Sequence, residues 1–113
     1  ESWHDCVKKE TILKSNKHFL KSVHFSGSYD GSKIVPPVHI SESAEIRKST
    51  IGPNVSIARS VSISDSVIAN SIIGENSTVK NADIKDSLIG KSVLISNYKG
   101  TLNLGDNSII EGS

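Results

Sequence analysis

Residues 38–110 read VHISESAEIRKSTIGPNVSIARSVSISDSVIANSIIGENSTVKNADIKDSLIGKSVLISNYKGTLNLGDNSII. In steps of about sixteen residues this stretch falls into three aliphatic columns. Ile40, Ile57, Ile73, Ile89 and Leu104 form the first, and Ile46, Ile63, Val79, Ile95 and Ile110 the second. Ile51, Ile68 and Ile84 form the third. Two residues before each member sits a small or apolar residue, such as Val55, Ser71 and Ser87 in the first column or Ser49, Ser66 and Ala82 in the third. In a strand, residues i and i−2 face the same side. A five- or six-residue unit used three times per turn is therefore the hexapeptide signature of a parallel β-helix, a triangular prism filled by stacked aliphatics. An amphipathic helix does not fit, because spacings of five and six leave one helical face and Val, Ile, Ser, Asn and Gly are poor helix formers.

Successive coils of such a prism stack at the normal strand spacing of about 4.8 Å. Gly52, Gly74, Gly90 and Gly105, with Asn54, Asn76 and Asn107, are expected at turns needing positive φ. First-column members at 40, 57, 73, 89 and 104 predict four coils and part of a fifth. The third column breaks near Gly100, so 96–101 is expected to bend or loop. The fold class expected is all-β, a left-handed parallel β-helix of about four to five coils over 38–113, preceded by one N-terminal α-helix. The hand is taken from the repeat's resemblance to short hexapeptide prisms, which depart from the right-handed crossover rule.

Working outward, residues 24–37 are expected to form a linker, with a turn signal at Tyr29-Asp30-Gly31-Ser32 and an extended Pro36-Pro37. Residues 8–23 have helical spacing: Ile12, Leu13, Asn16, Phe19, Leu20 and Val23 fall on one face, with Lys17 and Lys21 late in the helix, as its dipole favours. Such a helix is marginal alone and must dock on a preceding domain, on the first coil of the prism or on a partner. Residues 1–6 look like the edge of a preceding domain. With no Met anywhere in its 113 residues, the chain looks like a piece of a longer protein.

Composition excludes several classes. Thirteen Lys and Arg face twelve Asp and Glu with no basic block, which argues against nucleic acid as a partner. No apolar run reaches membrane-spanning length and no signal peptide is visible, so no membrane partner is expected. One cysteine, Cys6, cannot make an intrachain disulfide, which fits a reducing cytoplasm. Its ordinary role is that of a small apolar residue.

The run Trp3-His4-Asp5-Cys6-Val7-Lys8-Lys9-Glu10-Thr11-Ile12-Leu13-Lys14-Ser15-Asn16 resembles the end of the catalytic domain of sugar-1-phosphate nucleotidyltransferases, where W-x-D-x-G precedes a helix reading roughly L-L-x-x-N. The runs Val35-Pro36-Pro37-Val38-His39-Ile40, Ser49 to Ile57 and Leu102 to Asp106 resemble the β-helical tail of the same enzymes, nearest to the longer glucose-1-phosphate thymidylyltransferase type. Residues 1–23 would then be the end of the catalytic domain and its connecting helix. The resemblance implies a parent enzyme that joins a nucleoside triphosphate to a sugar 1-phosphate and releases pyrophosphate. It implies a metal role for Asp5, which would help hold Mg²⁺ in that parent. Val7 stands where the family has Gly. The Gly-rich phosphate loop, the catalytic Lys and the other metal carboxylate would lie upstream, so this chain alone is expected to be inactive, with no catalytic residue or cofactor of its own.

Hexapeptide prisms also serve as acyltransferases that use a His general base. Here His4, His18 and His24 precede the prism, and only His39 lies on it, pointing outward from the first coil. A zinc site of the carbonic-anhydrase type would need three His. Regular outward Thr ladders, as in an ice-binding array, are absent. The outward positions instead pair Ile72 with Leu88 and Leu94 with Ile109 in the later coils, a candidate interface for a homo-oligomer. The last rung, near Ile109 to Ser113, has no visible cap and its edge needs covering. The functions that follow are an assembly or regulatory domain of such an enzyme, a hexapeptide acyltransferase, or a stand-alone oligomerisation module.

Overall fold

The computed structural model describes residues 2–22, 29 and 31–112, with side chains from Lys9 onward. Among these residues, fifteen short strands follow one helix, Ser2–Leu20. They form three five-stranded sheets in which every pairing is parallel, with one strand per sheet contributed by each turn. The first side carries Val38–Ile40, Val55–Ile57, Ile72–Ile73, Leu88–Ile89 and Asn103–Leu104. The second carries Glu45–Arg47, Ser62–Ser64, Thr78–Lys80, Leu94–Ser96 and Ile109–Glu111. The third carries Lys33–Ile34, Thr50–Ile51, Val67–Ala69, Asp83–Lys85 and Lys99–Gly100. We number the coils one to five from the first-side strands. The architecture is a left-handed-type parallel β-helix.

The columns read from the sequence stack in register. Ile57 pairs with Ile73 and Ile73 with Ile89. Ile46 pairs with Ile63, Ile63 with Val79 and Val79 with Ile95. All of these are buried, and with Ile51, Ile68 and Ile84 they form one continuous core. The strands of the inner coils bury their aliphatic and turn its neighbours outward, as in Ser62–Ser64, Thr78–Lys80 and Leu94–Ser96 and as the two-residue strand period requires.

Three expectations need correction. The third side starts earlier than 38: Lys33–Ile34, inside the expected linker 24–37, already pairs with Thr50–Ile51. Residues 96–101 do not loop out. Lys99–Gly100 continues the third sheet by pairing with Asp83 and Ile84. The break in the column is a swap of bulk: the small position becomes Tyr98 and the aliphatic position Gly100. A Cβ on Gly100 would lie 3.2 Å from the Tyr98 hydroxyl and 3.4 Å from its ring, so the ring occupies the side-chain space that Gly100 leaves. Positive φ is also distributed differently. Asn54, Asn76 and Asn107 have it, as does Gly52, but Gly74, Gly90 and Gly105 do not. The left-handed residue is typically the one just before the small corner residue, as at Lys48, Asp65, Asn70, Asn81, Asp86 and Ser92. Asn and Asp carry this conformation at low cost.

The small corner residues also do more than make room. Ser49 Oγ donates to Arg47 O (2.7 Å) and accepts from Ser66 N–H of the next coil (3.1 Å). Ser66 repeats this with Ser64 O (2.7 Å) and Ala82 N–H (3.1 Å). Ser71 and Ser87 do the same at the next corner. Each bend takes a backbone N–H out of the ladder, and the buried hydroxyl of the neighbouring coil receives it. An unmet buried donor would cost about 1–3 kcal/mol.

Candidate functional site

The helix runs over Ser2–Leu20 rather than 8–23, so it takes in the Trp3-His4-Asp5 run expected ahead of it, and it lies along the prism. Of the expected face, Leu13, Asn16 and Leu20 are buried and Ile12 is half-buried. Phe19 is 54% exposed, off that face, with its ring edge-on to His39 at a centroid distance of 6.2 Å. Val23 and His24 lie outside the described residues. Buried Asn16 supplies the polar anchor: its Nδ2 donates to Asn54 O (3.4 Å) and its Oδ1 accepts from Ser56 Oγ (2.5 Å).

These contacts set the direction of the helix. Phe19 meets His39 in coil one, and Asn16 meets Ser56 in coil two. Three helical residues rise about 4.5 Å, close to the ~4.8 Å between coils. The helix therefore climbs one coil per turn, which brings Leu13 to the level of Ile72. Lys9 shares a cleft with Leu88, Asn103 and Leu104 of coils four and five. The N-terminal end of the helix thus points towards the last coil.

Beside the helix runs a second cleft, of about 550 Å³, bounded by Lys9, Lys14 and Lys17 and, on the prism corner, by Asn70, Asp86 and Thr101. Asn70 Nδ2 donates to Asp86 Oδ1 at 2.6 Å, which fixes the amide so that its Oδ1 is left buried without a partner. Asn81 Nδ2 makes the equivalent rung to Asn97 Oδ1 at 2.8 Å on another corner. On the corner between the first and second sides, Arg59 Nε and Nη2 donate to Glu75 Oε2 (3.0 and 2.6 Å), with Lys91 Nζ 4.0 Å from the other oxygen. The Arg59 hydrogen bonds, and then its charge, hold the Glu75 carboxyl below its ordinary range. Among the described residues, no three His, Cys, Asp or Glu side chains come together as metal ligands. No helix among them is long and apolar enough to cross a membrane.

The residues singled out in the sequence distribute as follows. The side chains of Trp3, His4, Asp5 and Cys6 lie outside the described residues. His18 is exposed on the helix, and His39 points outward under Phe19. Ile72 is paired with Leu88 on the first side, the side along which the helix runs. Leu94 is paired with Ile109 on the second side, where Ile109 is 65% exposed. The candidate interface residues thus divide between two sides of the prism. The Asn16 anchor was not singled out as one, because Ser56 and Asn54 reveal their role only when the helix is folded back over forty residues of chain. No known protein-family model matches the sequence, and no curated protein matches it.

Proposed function

We propose that this chain is the C-terminal assembly domain of a cytoplasmic sugar-1-phosphate nucleotidyltransferase, a scaffold that holds a preceding catalytic domain in a fixed orientation. One observation carries this reading: the helix that carries the Trp3-His4-Asp5 run in its first turns is docked along the prism and anchored through Asn16. A domain joined ahead of a loose helix would swing freely; one joined ahead of an anchored helix inherits the prism's orientation. The helix backbone continues from Lys9 to Ser2, about 10 Å at 1.5 Å per residue, beyond the level of coils four and five. The preceding domain would therefore sit near the uncapped last rung, where it could cover the strand edge. In that parent, Mg²⁺ would neutralise phosphate charge during nucleotidyl transfer, with Asp5 and upstream carboxylates as its ligands.

The test is pyrophosphate release from nucleoside triphosphate and sugar 1-phosphate in the presence of Mg²⁺. The chain extended by its upstream segment is expected to release pyrophosphate, and the chain alone is not. Asp5→Ala in the extended protein is expected to lower the rate. Turnover by the chain alone, or no turnover by the extended protein with any nucleotide, overturns the reading.

A further inference from the structure

The three sides of the prism differ in what they offer a partner. The helix runs along the first. The third carries outward charges at its two ends, at Lys33 and at Asp83, Lys85 and Lys99, around the uncharged Thr50, Val67 and Ala69. On the second side, the outward residues above coil one are uncharged apart from Lys80 in coil three and Glu111 in coil five. Its outward residues form two columns: Glu45, Ser62, Thr78, Leu94, Ile109 and, beside it, Arg47, Ser64, Lys80, Ser96, Glu111. We propose that two copies of this chain pack their second sides together, prisms antiparallel, about a two-fold axis lying along the fourth-coil strand Leu94–Ser96. This rests on the assembly role proposed above and specifies its contact.

The register follows from symmetry. A half-turn about an axis parallel to the strands keeps each column facing itself and reverses the order of coils. Placed over coil four, it sets Leu94 against the other copy's Leu94 and coil three against coil five. Ile109 then meets Thr78, and Lys80 meets Glu111, each twice. Within one chain Lys80 and Glu111 stand two coils apart, about 10 Å, with Ser96 between them, and form no ion pair with each other. Their complementarity is therefore unused at home and satisfied twice across the axis, where opposite charges favour the register and like charges oppose it.

Other axes lose the Lys80–Glu111 pair. An axis over coil three sets Lys80 on Lys80. One over coil two sets Arg47 on Lys80 and leaves the apolar pair uncovered. An axis parallel to the prism sets Ile109 against Glu111. Three coils of overlap fall short of the roughly 1,200 Å² buried in stable complexes, so the association is weak and is best read by proximity.

The experiment is disulfide trapping of the chain in a Cys6→Ser background. Ser96→Cys, on the axis, is expected to cross-link to its own copy. Ser64→Cys, in the same column but facing nothing, is expected to stay monomeric. Adding Lys80→Glu to Ser96→Cys is expected to cut cross-linking several-fold, and adding Glu111→Lys as well to restore it. All these side chains point outward, so circular dichroism should show each variant folded. Equal trapping at 64 and 96, no trapping at 96, or failure of the double charge reversal to restore it overturns the proposal. None of these outcomes alters the pyrophosphate measurement, so the two readings fail separately.

Discussion

Gly74, Gly90 and Gly105 share one corner column, but the backbone around them differs. A Cβ on Gly90 would lie 2.8 Å from Asp106 N and 2.9 Å from Gly105 C, both backbone atoms of the next coil. A Cβ on Gly105 would meet nothing within 4 Å. Gly90→Ala is therefore expected to lower stability by about 1–3 kcal/mol, as overpacking does. Gly105→Ala is expected to be neutral or to add about 0.5 kcal/mol by restricting the unfolded chain. Urea midpoints of the two variants check this, and equal midpoints would mean that the coils are not in close approach at that corner. Ser66→Ala makes a second comparison. It strips Ala82 N–H of its buried acceptor, so a loss of about 1–3 kcal/mol is expected in the same titration, although the change removes only one oxygen. The inward Ile columns were legible because they repeat along one chain. Gly74, Gly90 and Gly105 were misjudged as positive-φ residues and the serines as space savers only, because their constraint comes from the coil above, which a reading of one coil at a time does not contain.

The helix owes its place to a match of lengths, one turn of helix against one coil of prism. Its Leu13, Asn16 and Leu20 spacing was visible in the sequence. Its docking partner was not, because neither Ser56 nor Asn54 departs from the prism's own pattern. Phe19 was assigned to the buried face by its helical spacing and lies beside it, on His39. At the fourth coil, too, a missing aliphatic suggested a loop, while the bulk had moved two residues back to Tyr98, where it still faces inward. Asn16 is the polar anchor identified in this docking, so Asn16→Ala should strip Ser56 Oγ and Asn54 O of partners together. A loss of about 1–2 kcal/mol is expected, concentrated in the helix and leaving the prism intact. Limited trypsin digestion should show it as faster cleavage at Lys14 and Lys17 with Lys80 and Lys85 still protected. Cleavage that rises equally at all four would mean that the helix and prism unfold as one unit.

At the scale of the whole chain, each coil meets only its neighbours, so stability is close to a sum of coil terms and the interfaces between them. The two ends are unequal in that sum. Coils one and two carry the helix through His39 and Ser56, and Lys33–Ile34 adds a strand beneath the third side. Coil five meets the helix only at the Lys9 cleft and has neither an anchor nor an added strand: Leu104 and Ile110, the last members of their columns, are only half-buried, whereas Ile57, Ile63, Ile68 and Ile73 are fully enclosed. Local opening should therefore start at coil five and run downward, giving amide exchange that is slowest in coils two and three and fastest around Ile109–Glu111. The same gradient should appear in side-chain truncation. Ile73→Ala empties a site with aliphatics above and below it and is expected to cost about 2–5 kcal/mol. Ile110→Ala removes a residue already half in water, so its cost should be a fraction of that. Exchange measured residue by residue separates this graded picture from an all-or-none one: equal protection in coils three and five would show that the prism opens as a single body despite its one-dimensional contacts.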